Sequence, residues 1–347
     1  MPTSGKFLYK EIFPLESGEY LPGFELFYTT YGQLNKKQDN AIWVCHALTG
    51  SSDFTSWWPG LFGKGKVFDP DKHFIICANM LGSCYGSTGP LSIDPRTKKP
   101  YYHSFPELTN RDIVRSFELL RDHLNIEKIH TLTGGSLGGQ HALEWSIMYP
   151  ERIENLVHIA SNARHSAWGI AFNESQRMAI QQDITWELST DRAGINGMKV
   201  ARSIALLSYR HYNTYGKTQI EPDDEGIGNY RASSYQQYQG EKLAKRFNAF
   251  SYWVLSEAMD SHNVGRGRSS IKAALHHIQA NCLIIGVTSD ILFPLNEQEF
   301  LHKHIPGSSF AVIDSDYGHD GFLIETEAIE KCIEQFYANV KSSVPTS

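Results

Sequence analysis

Thr133-Gly134-Gly135-Ser136-Leu137-Gly138-Gly139 follows the apolar run Ile129 to Leu132 and precedes Ala142-Leu143-Glu144-Trp145-Ser146-Ile147-Met148. The first run reads as a buried strand and the second as the helix after it, which puts Ser136 on the turn between them. A strand-turn-helix elbow forces strained dihedrals on its serine, and the residues two before and two after it must be tiny for the backbones to pass. Gly134 and Gly138 meet that demand. A bare Gly-x-Ser-x-Gly match is equally compatible with an ordinary glycine-rich turn, so the rest of the chain has to decide. A serine presented in this way points to acyl transfer or acyl hydrolysis.

Further strand-like runs occur at Phe24 to Thr30, Ala41 to Cys45, Phe74 to Ala78, Leu156 to Ile159, Cys282 to Val287 and Phe310 to Ile313. Helical stretches alternate with several of them. Leu108 to Leu124 places Ile113, Phe117, Leu120 and Leu124 on one face, with Thr109 and Asp112 spaced as an N-terminal capping pair. Phe322 to Val340 carries Ile329, Cys332, Ile333 and Phe336 at helical spacing. Buried strands alternating with helices predict an α/β fold with a mostly parallel sheet flanked by helices on both faces.

The interval from Ile159 to Cys282 is roughly 120 residues, about ten times what one crossover helix needs. The sequence thus predicts a core formed by residues 1–161 and 264–347 and an inserted helical lid over residues 162–263. Within the insert, Val200, Ile204 and Leu207 form one apolar stripe and Leu243, Phe247, Phe250 and Val254 another. Both are expected to serve helix packing. Tyr230 to Tyr238 and Glu221-Pro222-Asp223-Asp224-Glu225-Gly226 read as exposed loop.

A serine hydroxyl is a poor nucleophile at neutral pH unless a histidine takes its proton and a carboxylate orients that histidine. The order Ser, then acid, then His is that of α/β-hydrolases. Asp290 lies just past the Cys282 to Val287 run, and His319, in Asp316-Tyr317-Gly318-His319-Asp320-Gly321-Phe322, lies between the last strand and the last helix. Of the 15 histidines, His319 is singled out by that position. Asp314 and Asp316 stand too close before it to be its partner, and Asp183 and Asp260 fall in the insert. For the oxyanion, Leu137 supplies one backbone amide. The segment Val44-Cys45-His46-Ala47-Leu48-Thr49-Gly50 supplies the other, from Leu48 first and Thr49 as the alternative, with His46 bracing the loop.

Composition narrows the partners. The 347 residues are 41% hydrophobic and 20% charged with a net charge of -6, which suits a globular protein acting on small molecules and argues against nucleic acid. No apolar run reaches membrane-spanning length and the N-terminus lacks a secretory pattern, so a cytoplasmic location is expected. The five cysteines, Cys45, Cys77, Cys84, Cys282 and Cys332, are odd in number and without zinc-site spacing. Inert thiols, no metal and no tightly held cofactor are expected. Gly82 to Gly89 lacks the lysine of a phosphate loop and reads as a loop lining the site.

Taken together, His46-Ala47-Leu48-Thr49-Gly50, Asn79 to Pro90, Gly134 to Gly139, Leu143-Glu144-Trp145, Ser289-Asp290 with Phe293-Pro294, and Gly318-His319-Asp320 resemble the homoserine O-acetyltransferase family of α/β-hydrolase-fold acyltransferases, over nearly the whole chain. The resemblance implies that Ser136 takes acetyl from acetyl-CoA and passes it to the hydroxyl of L-homoserine, in methionine synthesis. It also implies that Arg210 holds the amino acid's carboxylate and Asp320 its ammonium, and that the protein is a homodimer through the lid. A lid tyrosine, Tyr212 or Tyr215, is expected to assist; the wording around them departs from the family's, and Gln140 stands where many relatives have methionine. The alternatives are a homoserine or serine O-succinyltransferase and an esterase of the same fold.

Overall fold

The computed structural model describes residues 2–223 and 226–343. Eight strands form one sheet: β1 (Thr3–Tyr9), β2 (Phe24–Tyr31), β3 (Ala41–Cys45), β4 (Phe74–Ala78), β5 (Ile129–Gly135), β6 (Ile153–Ile159), β7 (Asn281–Val287) and β8 (Ser309–Ile313). Their spatial order is β1-β2-β4-β3-β5-β6-β7-β8. The pairs β1/β2 and β2/β4 are antiparallel, and every pair from β4/β3 to β7/β8 is parallel. The six adjacent strands from β4 to β8 therefore all end at one edge, where parallel sheets gather their functional loops.

The continuous apolar strands are explained by burial on both faces. Along β3, Ile42 and Val44 join a layer with Phe54, Trp58, Ile329, Ile333 and Phe336, while Trp43 joins the opposite layer with Phe117 and Trp145. The helix α1 (Asn110–His123) starts with the expected capping box, Thr109 with Asp112. The helix α2 (Leu137–Met148) directly follows Ser136 and is buried along almost its whole length. Of the thiols, Cys45, Cys77 and Cys282 are buried among apolar strand residues, and burial pushes that of Cys282 up to about 12.

Between β6 and Asn263 the described residues form five helices: α3 (Ala167–Gln181), α4 (Ile195–Tyr209), α5 (Tyr212–Thr218), α6 (Arg231–Ala244) and α7 (Ala249–Asp260). A backbone bridge between Arg164 and Asn263 closes the base of this insert. The chain returns through α8 (Ile271–His276) and α9 (Leu295–His304), and ends with α10 (Gly321–Ile324) and α11 (Thr326–Ser343). Among the described residues no helix is long and apolar enough to cross a membrane.

Four expectations are corrected. Tyr230 to Tyr238 is not loop but lies largely in α6, a half-exposed helix without an apolar stripe, held to α4 by Gln236 Nε2 donating to the Ser203 carbonyl (3.1 Å) and by Gly240 closing on Lys199. The Val200, Ile204 and Leu207 stripe faces outward, with Val200 52% and Leu207 55% exposed. Instead α4 packs through small residues, Gly197, Ala201 and Ala205, and through Met198 and Leu206. The stripe from Leu243 to Val254 is buried as expected but spans two helices, because Asn248 caps α7 by accepting from the Ser251 amide. Likewise Phe322 to Val340 breaks at Glu325, where the Trp58 indole takes the Phe322 carbonyl (2.8 Å) that a continuous helix would need. Of the expected loop at Glu221 to Gly226, Asp224 and Glu225 lie outside the described residues.

Candidate active site

Ser136 occupies φ 58° and ψ -129°, a region non-glycine residues rarely enter. The surrounding glycines make the conformation possible. A side chain on Gly138 would start 2.1 Å from the Cys45 carbonyl oxygen, and one on Gly134 would start 2.4 Å from that of Gly138. The two backbones thus cross where only hydrogen fits, which is the demand read from the sequence. The Ser136 amide is anchored on the Ile159 carbonyl at 3.2 Å.

Asp290 and His319 arrive from the loops after β7 and β8. The imidazole Nδ1 donates to Asp290 Oδ2 at 2.7 Å. The other carboxylate oxygen, Oδ1, accepts from the amides of Leu292 and Phe293, both at 2.8 Å. With Nδ1 held by the acid, Nε2 is the nitrogen left for chemistry. Both residues are 3% exposed. The ring is gripped by Phe293 and Phe322, each 5.1 Å away between centroids, and by Tyr209 of α4 at 5.8 Å. Gly318, at φ 66°, lets the inserted segment Tyr209 to His211 pass directly over the histidine loop; a Cβ there would lie 2.9 Å from the Tyr209 carbonyl oxygen.

Ser136 and His319 border one cavity of about 470 Å³, together with Leu48, Thr49 and Asp320. Leu137 is the first residue of α2, so its amide belongs to the first turn and has no carbonyl to bind within the helix. The Ala47–Leu48 peptide is fixed by its carbonyl, which accepts from the Gly50 amide (2.8 Å) and from His46 Nδ1 (2.9 Å). In a trans peptide the Leu48 N–H points the opposite way. His46 Nε2 in turn accepts from the Met80 amide at 3.3 Å, and burial pulls the ring's pKa down to about 4, so it is neutral and braces the loop.

Asp320 lines the cavity and Arg210 does not; the arginine stands behind it, with Nε 2.7 Å from Asp320 Oδ2. Burial raises the pKa of Asp320, while Arg210, Arg202 and His319 oppose that rise. Tyr215 hydrogen-bonds Gln236 at 3.2 Å, and Tyr212 is 85% exposed; neither borders the cavity. The Gly82 to Gly89 loop lines the cavity as expected, through Tyr85, whereas the cations Arg202, Lys242 and Arg246 are cavity residues that sequence reading missed. Cations on the inserted segment look like any solvated face until that segment is folded over the sheet.

Gln140 acquires a physical account. Fully buried, its Nε2 donates to Asn162 Oδ1 (3.2 Å) and lies 3.3 Å from His165 Nδ1, while its Oε1 accepts from Asn110 Nδ2 (3.1 Å). Methionine has a similar volume but none of these partners. Gln140→Met is therefore expected to destabilise the protein by about 1–3 kcal/mol, because buried amide groups lose their partners. A urea midpoint that falls at constant slope is the expected reading, and an unchanged midpoint would contradict it.

Comparison with known proteins narrows the chemistry. A family model described as the alpha/beta hydrolase fold matches residues 40–326. The crystal structure of homoserine O-acetyltransferase from Bacillus anthracis superposes with a TM-score of 0.90 over 97% of each chain at 24% identity. That of esterase E22 does so at 0.88, over 97% of this chain and 100% of its own, at 23% identity. At such identities the likeness shows the fold alone, and the fold serves transferase and esterase alike. Sequence separates them: the homoserine O-acetyltransferase of Cyclobacterium marinum is 52% identical over 96% of this chain and 95% of its own, and that of Chlorobaculum parvum 45% identical over 93% and 92%. With identity of that order sustained from end to end, the chain belongs to the homoserine O-acetyltransferase family and is an acyltransferase.

Proposed function

We propose that Ser136 carries acetyl from acetyl-CoA to the side-chain hydroxyl of L-homoserine in two half-reactions on one triad. In the first, His319 Nε2 takes the hydroxyl proton as Ser136 Oγ attacks the thioester carbonyl, and Asp290 stabilises the imidazolium. The amides of Leu48 and Leu137 receive the oxyanion. The carbon–sulfur bond breaks, the histidine returns its proton to the thiolate, and CoA leaves an acetyl-serine. In the second half-reaction His319 deprotonates the homoserine hydroxyl, which attacks the acetyl carbon and displaces Ser136, and the histidine returns that proton to Ser136 Oγ. Acyl transfer outruns hydrolysis only if the acceptor is held with its oxygen in line.

The observation that carries this reading is His319, held by Asp290 and bordering the same cavity as Ser136, in a chain half identical to a homoserine O-acetyltransferase. Arg210 and Asp320 hold the zwitterion. With no amino acid bound they pair with each other; Asp320 faces the cavity and takes the ammonium, and Arg210, which lies outside the lining, takes the carboxylate by swinging from that pair toward the cavity. The product is the acylated amino acid expected of a step in methionine synthesis. The outward apolar stripe of Val200 and Leu207 supports a homodimer through the lid.

Thiol release distinguishes the alternatives. Release from acetyl-CoA should rise with homoserine, rise much less with serine, and fall away when succinyl-CoA replaces the donor. Equal release without an acceptor would instead identify an esterase, and a preference for succinyl-CoA a succinyltransferase.

A further inference from the structure

Two elements of different origin hold the turn that carries the Leu48 amide. At its Ala47 end the grip comes from the core, through His46 and the Gly50 amide. At its Thr49 end it comes from the insert. Arg246, in the break between α6 and α7, donates from Nη1 to the Thr49 carbonyl at 2.6 Å and to the Tyr85 hydroxyl, and Nη2 lies 3.5 Å from Thr49 Oγ1. Tyr85 is itself wedged edge-on against Phe247, the next lid residue, at 5.7 Å. One guanidinium thus joins the lid, the Asn79 to Pro90 loop and the oxyanion turn.

We propose that Arg246 is a positioning residue for the oxyanion hole, fixing the Thr49 side of the Ala47–Gly50 turn so that the Leu48 amide is aimed only when the lid is seated. This rests on the acyl-serine reading of the cavity and adds a dependence that the triad alone does not have. The core-side clamp does not reach Thr49, and the turn's second fixed carbonyl has its partner on a separate, helical unit. Any motion that lifts the α6–α7 corner pulls on the donor that stabilises the tetrahedral intermediate. Because Arg246 is exposed, its hydrogen bonds contribute little to overall stability. A variant at this position should therefore fold while losing the alignment.

The experiment compares Arg246→Met, Arg246→Lys and Tyr85→Phe with the parent enzyme, measuring steady-state kinetics with acetyl-CoA and homoserine, affinity for a boronic acid that adds to Ser136, and thermal midpoint. Removing an oxyanion donor outright costs about 10²–10³ in kcat, so misaiming one by Arg246→Met is expected to cost about 10–100-fold. Boronate affinity should fall by a like factor and KM for acetyl-CoA should move less than about twofold, the pattern of a contribution made only in the transition state. Arg246→Lys, which keeps one donor for Thr49, and Tyr85→Phe, which removes one anchor, should show the same pattern with smaller losses. If Arg246→Met raises KM for acetyl-CoA at unchanged kcat, the side chain contacts the donor and the positioning role is wrong. Unchanged kinetics, or a kcat loss with unaltered boronate affinity, would also overturn it. Should Arg246→Met not fold, Tyr85→Phe decides in its place: parallel losses in kcat and boronate affinity support the role, and unchanged kinetics overturn it. Ser136→Ala in the same assay tests the underlying reading separately: turnover surviving there would remove the acyl-serine whatever Arg246 does.

Discussion

Ser136→Ala is expected to lower kcat by about 10⁴-fold or more, the scale on which serine triads lose activity when the nucleophile is removed. The fold should persist, since alanine keeps the Cβ and the Gly134/Gly138 crossing is untouched. Ser136→Gly separates catalysis from strain. At φ 58° and ψ -129° a side chain costs about 1–3 kcal/mol, and glycine enters this region freely. The glycine variant should be as inactive as the alanine variant, yet more stable than the parent once glycine's entropic cost of up to about 1 kcal/mol is deducted. A denaturant midpoint at or below that of Ser136→Ala would show that the elbow holds no more strain than glycine's entropic cost.

Asp290→Asn should cost about 10⁴-fold in kcat, and the hydrogen bonds around the acid say why. The amides of Leu292 and Phe293 both donate to Oδ1, so the asparagine must keep its carbonyl oxygen there. Its NH₂ then faces His319 Nδ1 in place of the oxygen now 2.7 Å away. The imidazole has to accept at Nδ1 and carry its proton on Nε2, which leaves no base for the serine. Geometry is preserved and the tautomer is wrong. Loss of activity with an unchanged thermal midpoint is the expected result; activity within tenfold of the parent would mean that another group orients His319.

Much of this arrangement was legible because its parts impose short-range demands on the chain. The elbow at Ser136 needs glycines at fixed offsets, and a buried parallel strand needs an unbroken apolar run. Asp290 and His319 stand in loops directly after such runs, so their convergence followed from topology. Elements whose character is set by distant partners were illegible. Strand β1 is an exposed antiparallel edge, Thr3–Tyr9, in which Phe7 is the buried residue, and no strand signal stood out there. The face of α4 that turns inward is made of Gly197, Ala201 and Ala205, where close backbone approach matters more than apolar size. The helix α6 is held by Gln236 and Gly240 against α4, contacts that periodicity does not encode. Arg202 and Lys242 come from these same helices and Arg246 from the break after α6, which is why they passed unnoticed while Arg210 stood out by resemblance.

The Arg210–Asp320 pair shows how the structure sharpened the reading. Sequence resemblance assigned the two residues to opposite ends of one ligand, and the fold adds that they meet each other directly. Their charges offset one another, and of the two only Asp320 lines the cavity.

The most direct test is to mix the enzyme with acetyl-CoA alone, digest it, and follow the peptide containing Ser136 by mass spectrometry before and after homoserine is added. The account predicts one acetyl group on Ser136 that persists in water and is discharged on mixing with homoserine, with O-acetylhomoserine appearing in equal amount. An acetyl group that never forms on Ser136, or that leaves at the same rate with and without homoserine, would contradict it.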